Sequence, residues 1–502
     1  MTGDDVKDRV REIHDYRLTH GMLLKHVERH NDYLSTWDRL SRHISKQSAK
    51  HKQAPITSST RPLAVSVLPT AFPRNHFEHA RDLQTCFNEL YIRLANNHTW
   101  LSEVRSPLLK HDAFLASLSR IYENVRSHGR RQNVVCGIFR SDYMLDAAQS
   151  CLKQVETNVF SASGFAHAQN VAKMHRHLRR AFDGHADPPE NNNGNGIADM
   201  LAEADSIYRR QANQILGEVA AGLSETSHSA KLRKTCILMI VQPQNFNIAD
   251  ERPIEYALWD RGVSCYRCEW RDISSRTHLL DDGTLVFRPP TPQEPLEVSV
   301  VYYRAGYEAH EYDSRGSEAR TTLEMSNAIK CPDIATHLTT CKTVQQALTR
   351  PRTLERFLPH DKVQMVRETF VEMHTFDIAD CVLKANDDGG GHNVYRTDIP
   401  AFLAATAEEK WCTFTLMKLI RPPQSSGVLM TPDDIYRGTV VSELGVLGTC
   451  IWERKPNAED LEVLRNDCAG WTLKTKPSNV DGMMLVKGLG AMDCPSLQQS
   501  FD

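Results

Sequence analysis

The chain opens on a polar stretch with helical spacing. Its first fifty residues include His14, His20, His26 and His30, and His26 and His30 fall on one helix face. That spacing suits a metal, but a solvated helix surface is its ordinary reading. "KQAPITSSTRP" interrupts the pattern as a loop, and a second helical region follows around "FEHARDLQTCFNELYIRLANN". The period then shortens. "VVCGIFRSDYML" predicts a strand that ends at Arg140, and "CLKQVETNVFSAS" predicts a second, apolar on one face and polar on the other. Alternation in the second strand puts Glu156 and Asn158 on one face and sends Val155 and Val159 into the core. "MHRHLRRAF" returns to helical spacing; it is basic without interleaved aromatics and reads as a solvated helix face. "DGHADPPENNNGNG" is of low complexity and reads as a disordered surface loop.

Beyond that loop the pattern changes. "TCILMIVQPQ", "VSCYRCEW", "TLVFR" and "LEVSVVYYRAGY" are strand-like runs separated by helical stretches such as "ERPIEYALWDRG", the alternation of an α/β unit. From Lys342 onward helices mix with strands at "VLK", "FTLMKLIRP" and "VVSELGVLGTCIWE". No repeat period is evident. The expected division is therefore 1–233, 234–341 and 342–502.

Composition narrows the function classes. Hydrophobic residues at 40% and charged residues at 25% are ordinary for a soluble globular protein. The 60 basic residues are offset by 63 acidic ones, which argues against a general nucleic-acid or membrane-surface binder; an anionic ligand must be met by local clusters. The first twenty residues are charged throughout and lack the apolar core of a signal peptide, and "CILMIV" is far too short to cross a bilayer. Thirteen scattered cysteines suit reduced thiols in the cytoplasm. Cys265 and Cys268 form a lone C-x-x-C with no second pair, so a structural role is expected.

Candidate chemistry gathers at three runs. In "CVLKANDDGGGHNVY" three glycines let the backbone approach an anion, Lys384 supplies charge and Asp388 can hold a metal; an isolated triple glycine is otherwise a solvated turn. In "QVETNVFSAS" a carboxylate and an amide oxygen two residues apart suit Mg²⁺, although E-x-N alone is a weak signal. In "VVYYRAGY" Arg304 stands at the mouth of an apolar strand, placed to clamp a carboxylate or phosphate bidentately. No G-x-x-x-x-G-K-[ST], G-x-S-x-G or HExxH occurs.

Taken together, "AIKCPDIATHLTTCKTVQQAL", "VVYYRAGY", "FRSDYM", "KQVETNVFSAS" and "GGGHNVY" resemble eukaryotic glutathione synthetase, an ATP-grasp ligase family, and they stand in the family's order. The resemblance implies an α/β ATP-grasp fold with an inserted α/β substrate-binding domain and a glycine-rich lid. Residues 1–233 would hold an N-terminal helical region and the first part of the ATP-grasp domain, 234–341 the substrate domain, and 342–502 the remainder with the lid. It implies ligation of γ-glutamylcysteine to glycine with ATP and Mg²⁺, through an acyl phosphate, by a cytoplasmic homodimer that binds neither nucleic acid nor membrane.

The same resemblance assigns roles. Arg140, Lys342 and Lys384 would be catalytic. Arg140, Phe160 to Ser163 (with Ser161 and Ala162 between), Asn245, Phe246, Asn247, Glu251, Arg304, Ala305, Gly306 and Tyr307 would contact the dipeptide. Lys474, Met484 and Leu485 would lie on the acceptor side. Glu156, Asn158 and Asp388 would hold the metal. Glu156, Lys342, Lys384, Asp388, Gly389, Gly390, Gly391, His392, Asn393 and Tyr395 would surround the phosphates. Met417, Lys418, Leu419, Ile420, Glu443, Lys476 and Asp481 would meet the rest of the nucleotide.

Four positions depart from the family pattern. Asp388 replaces Glu, Glu251 replaces Gln, Lys474 replaces Arg, and "DGMMLVKG" replaces a loop of small residues. These departures leave two other outcomes open: a ligase for another amine such as β-alanine or serine, and a non-catalytic member that binds nucleotide or dipeptide.

Overall fold

The computed structural model describes residues 3–25, 60–182, 187–222, 234–243, 248–290, 294–373, 378–386, 393–432, 434–455, 460–483, 485 and 490–499. Helix α1 (Gly3–Thr19) comes first, and α2 (Arg74–Asn96) buries Phe77, Ala80, Leu83, Phe87, Leu90 and Leu94. That three- and four-residue spacing is what makes α2 an amphipathic helix laid against a sheet. His26 and His30 lie outside the described residues.

A 13-stranded mixed sheet dominates the molecule, and β1 (Val134–Asp146) is where it forks. One side of β1 pairs antiparallel with the long strand Ile435–Arg454. On its other side the strand divides its pairing. Arg140 to Asp146 pair antiparallel with β2 (Cys151–Asn158), while Val135 pairs parallel with Lys330 of Ile329–Cys331. Helix α3 (Phe165–Phe182) follows β2, and α4 (Asn193–Gly222) follows α3. Beyond Ile329–Cys331 the parallel arm continues through β4 (Leu296–Tyr303) to β3 (Thr235–Val241) and Cys265–Glu269, the expected α/β unit. Helix α5 (Lys342–Leu348) leads toward a separate three-stranded sheet, in which β5 (Cys381–Ala385) lies between Val394–Tyr395 and Phe414–Lys418. The long strands β6 (Ile435–Arg454) and β7 (Leu461–Pro477) pair antiparallel as a ribbon, and Ala491–Asp493 adds to the edge of β7. Apolar side chains pack on both faces of the large sheet.

Four expectations need correction. First, β1 does not end at Arg140 but runs on to Asp146, because Arg140 and Asp142 neutralise each other while Ser141 between them and Tyr143 after them are buried. Second, β2 stops at Asn158, before Phe160 to Ser163, which form a turn with Ser161 at φ 49° and Gly164 at φ 91°. Third, Val155 is not a core residue. Asp142 pairs with Glu156 and Tyr143 with Gln154, so Val155 is the extra residue of a bulge and is only half-buried. Glu156 and Asn158 still share a face. Fourth, the asparagine-rich segment is ordered from 187 onward. Asn191 and Asn193 are buried, their amides donate to Trp471 O at 2.8 and 2.9 Å, and α4 begins at Asn193. The two amide groups stay inside because their N–H donors find backbone carbonyls there, and Asn191 Oδ1 accepts from Trp471 N at 3.2 Å.

All 13 cysteines are free thiols, and Cys265 and Cys268 are buried, as a structural pair should be. Among the described residues no helix is long and apolar enough to cross a membrane.

Candidate active site

The fork in the sheet brings the charged residues together. On β1, Arg140 donates from Nε and Nη2 to the two oxygens of Asp142, both at 2.7 Å, and from Nη1 to Ser163 O at 2.7 Å. This bidentate pair is almost wholly buried. On the ribbon, Glu443 of β6 sits directly opposite Lys474 of β7, and Lys474 Nζ donates to Glu443 Oε1 at 2.5 Å. The same ammonium lies 3.6 Å from Asp142 Oδ2. Burial alone draws the Lys474 pKa down, but Asp142 and Glu443 outweigh it and raise it. Burial pushes the Glu443 carboxyl up, and Asp142 nearby adds to this against Lys474.

A second cluster adjoins the first. Glu156 Oε2 lies 2.9 Å from Lys342 Nζ and 4.0 Å from Lys384 Nζ. Burial favours the neutral acid, but the two lysines prevail and hold Glu156 well below the ordinary carboxyl range. Burial draws the Lys384 amine down, and Lys384 Nζ donates to Val155 O at 2.8 Å. The bulge thus turns a backbone carbonyl onto a functional lysine. Lys342 is the first residue of α5, whose start is tied to the end of β5 by Thr343 N and Oγ1 donating to Asn386 Oδ1 at 3.3 and 3.1 Å. Asn158 Nδ2 bridges the clusters, donating to Asp142 Oδ2 at 3.1 Å and Glu156 Oε1 at 3.4 Å.

Among the described residues no three His, Cys, Asp or Glu side chains form a metal cage. Glu156 and Asn158 nevertheless offer oxygen donors on one face. That set fits Mg²⁺, a hard ion that keeps waters and phosphate oxygens as its other ligands.

The turn after β2 is gripped by both arginines. Arg304 Nη1 donates to Ala162 O at 2.6 Å, and Ser161 Oγ donates to Tyr303 O at 3.1 Å. Asp250 accepts from Gly164 N at 2.7 Å and stands 3.8 Å from Arg304. The "RAGY" turn needs its glycine: at φ 90° a Cβ on Gly306 would meet the Trp270 ring at 2.6 Å. Gly306 N and Tyr307 N both donate to Glu311 Oε2, and Ala305 is buried. Tyr307 OH donates to Gln242 Oε1 at 3.0 Å. Phe160 stacks on His337, centroids 3.6 Å apart. Glu251 is fully buried and accepts from Arg267 Nη1 at 3.2 Å.

The nucleotide-side residues divide. Met417, Tyr395, Leu419 and Ile420 pack in one apolar cluster with Val382. Lys418 points the other way, exposed and 3.7 Å from Glu372. Lys476 Nζ donates to Val480 O, and burial lowers its pKa. Asp481 pairs with Arg396 at 3.1 Å, and Asn393 donates to Tyr395 OH at 3.5 Å. Leu485 is half-buried against the main core. Asn245, Phe246, Asn247, Asp388, Gly389, Gly390, Gly391, His392 and Met484 lie outside the described residues.

Sequence reasoning missed Asp142, Asp250, Gln242 and His337. Asp142 was within reach, two residues from Arg140 on the same strand face. The others meet the site only through tertiary contacts.

The model of the eukaryotic glutathione synthase ATP-binding domain matches residues 3–497. The glutathione synthetase large chain of Schizosaccharomyces pombe is 30% identical over 469 residues, covering 87% of this chain and 91% of its own. Glutathione synthetase of Homo sapiens is 30% identical over 453 residues, covering 86% and 89%. Among solved structures, a glutathione synthetase-like effector from Globodera pallida superposes with TM-score 0.71. It covers 99% of this chain and 96% of its own at 18% identity, a likeness of fold.

Proposed function

Because the chain belongs to the eukaryotic glutathione synthetase family, we propose that it ligates γ-glutamylcysteine to glycine, converting ATP to ADP and phosphate. The observation that carries this reading is Glu156 held between Lys342 and Lys384 and joined to the Arg140–Asp142 pair through the Asn158 amide. A pure binder has no need of so many buried charges at one point.

An amide cannot form directly from a carboxylate, whose oxygen is a poor leaving group. The dipeptide carboxylate attacks the γ-phosphorus of ATP, the bond to ADP breaks, and an acyl phosphate results. The amine of glycine then attacks the acyl carbon, the bond to phosphate breaks, and the departing phosphate carries off the amine proton. Lys342 and Lys384 would supply the positive charge that the transferring phosphoryl oxygens need. Arg140 and Arg304, fixed by Ser163 and Ala162 backbone oxygens, hold the dipeptide in line. Mg²⁺, held by Glu156 and Asn158, supplies further neutralisation of phosphate charge when bound. Met417, Leu419, Ile420 and Tyr395 form an apolar wall for the adenine, and Lys418 takes no part in it.

The ATP-grasp class, the three-part domain division, the glycine lid over residues 389–391, the homodimer and the cytoplasmic site belong to the same proposal. The test is release of ADP by the full chain with ATP, Mg²⁺ and γ-glutamylcysteine, with glycine, β-alanine and serine compared as acceptors. Release that depends on glycine and the dipeptide together is expected. No release with any acceptor overturns the reading.

A further inference from the structure

The basic run of α3 takes no part in the site described above. Its exposed face, together with α1, lines a groove of about 500 Å³. The two walls carry opposite charge. On α3, Lys173, Arg176 and Arg180 recur at intervals of three and four, so they share one side of the helix. On α1, Glu12 and Asp15 are three apart and face them. His177 crosses the gap, with Nε2 3.6 Å from Glu12 Oε2 and its ring tilted against Tyr16, centroids 5.7 Å apart. Among the described residues no ion pair within 4.0 Å engages Lys173, Arg176, Arg180 or Asp15. The floor is aromatic: Tyr16 stacks flat on His20, centroids 3.7 Å apart.

We propose that this groove is a second binding site, for a small zwitterion with more carboxylate than ammonium. Its carboxylates would meet Lys173, Arg176 and Arg180, and its ammonium would meet Glu12 or Asp15. The volume fits a molecule of a few residues. The acidic wall decides between anions: a phosphate ester gains on α3 but is repelled by α1, whereas a zwitterion gains on both. A short acidic peptide has this chemistry, and so does glutathione. Choosing glutathione as the ligand rests on the ligase reading; the two-signed groove does not.

Equilibrium dialysis of the full chain against glutathione tests this by counting molecules bound. The parent is expected to bind one more molecule per chain than the Lys173→Glu/Arg176→Glu variant. Ligase turnover without added glutathione should be equal in the two. Asp15→Asn, on the opposite wall, should weaken the extra site about tenfold, and N-acetylated glutathione, which lacks the ammonium, should fill it tenfold more weakly in the parent. Equal stoichiometry in parent and double variant overturns the proposal. So does equally tight binding of the N-acetyl form, or displacement by inorganic phosphate at equal concentration, which marks a plain anion site. Failure of the ligase reading appears separately, as absence of ADP release.

Discussion

Glu156 meets three other residues chosen from sequence. Its carboxylate faces Lys342 and Lys384 and receives the Asn158 amide. Replacing it with Gln keeps the shape but removes the charge, leaving two lysines without their acid and the proposed Mg²⁺ site without its anionic ligand. Turnover of Glu156→Gln should fall about 100-fold or more, with a much smaller loss of thermal stability. Parent-like turnover ends its assignment to the metal. Lys474 is the second test. It is buried against Glu443 and Asp142 instead of reaching solvent, so it stands inside the site. A guanidinium there can keep Glu443 on one edge and offer a second pair of donors to the glycine carboxylate. Lys474→Arg should therefore lower the glycine KM by roughly tenfold, worth about 1–2 kcal/mol. A KM unchanged in a glycine titration at saturating ATP and dipeptide removes Lys474 from acceptor recognition. At this scale the sequence was informative where a residue stood out against its neighbours, as Arg304 does at the end of an apolar strand. Asp142 did not stand out, since an acid near an arginine reads as an ordinary ion pair. Its link to Lys474 exists only once β1 and the terminal ribbon lie side by side.

Among the elements, β2 depends on one extra residue. Deleting Val155 restores regular pairing with β1 but removes the carbonyl that receives Lys384 and shifts one end of the strand against the other. The expected outcome is a folded protein whose turnover is reduced about 100-fold; full activity in the deletion sinks the bulge's functional role. The short strand Ile329–Cys331 carries a pH signature. Burial draws Lys330 down to about 8 from 10.5, and its ammonium donates to Ser326 O and Ala328 O. Below pH 8 folded and unfolded chains are both protonated there. Between about 8 and 10.5 the unfolded chain holds a proton that the folded chain has lost, so stability rises with pH across that window. The parent should gain up to about 3 kcal/mol on Lys330→Met between pH 8 and 10.5. Urea unfolding at stepped pH checks it, and a flat difference refutes it. Strand runs were legible here because their apolar period is local. The asparagine segment was not: Asn191 and Asn193 look like loop until Trp471, 280 residues from Asn191, accepts from both.

Across the whole molecule, the alternating strands and helices of 234–341 predicted an α/β unit, and β3 and β4 pair in parallel within it. The fork at β1 had no sequence signature, because which strands flank a hub is decided by the register of distant segments. That fork is what sets two lysines, from α5 and β5, against one glutamate from β2. The arrangement bears on the order in which ligands assemble. The lysines and Glu156 already pair with one another, so a divalent cation arriving alone must compete with two ammonium groups. A free phosphate, likewise, must draw those ammonium groups away from their carboxylate. In the proposed site a nucleotide carrying its cation would exchange partners on both sides at once: phosphate oxygens would meet Lys342 and Lys384, and Glu156 would hold the cation. Heterotropic cooperativity follows, with each ligand tightening the other by the same factor. Calorimetric titration should find Mg²⁺ affinity at least tenfold higher with a non-hydrolysable ATP analogue bound than without it, and Glu156→Gln should abolish the difference. Equal affinities in the parent would mean that the ion pairs impose no order on binding.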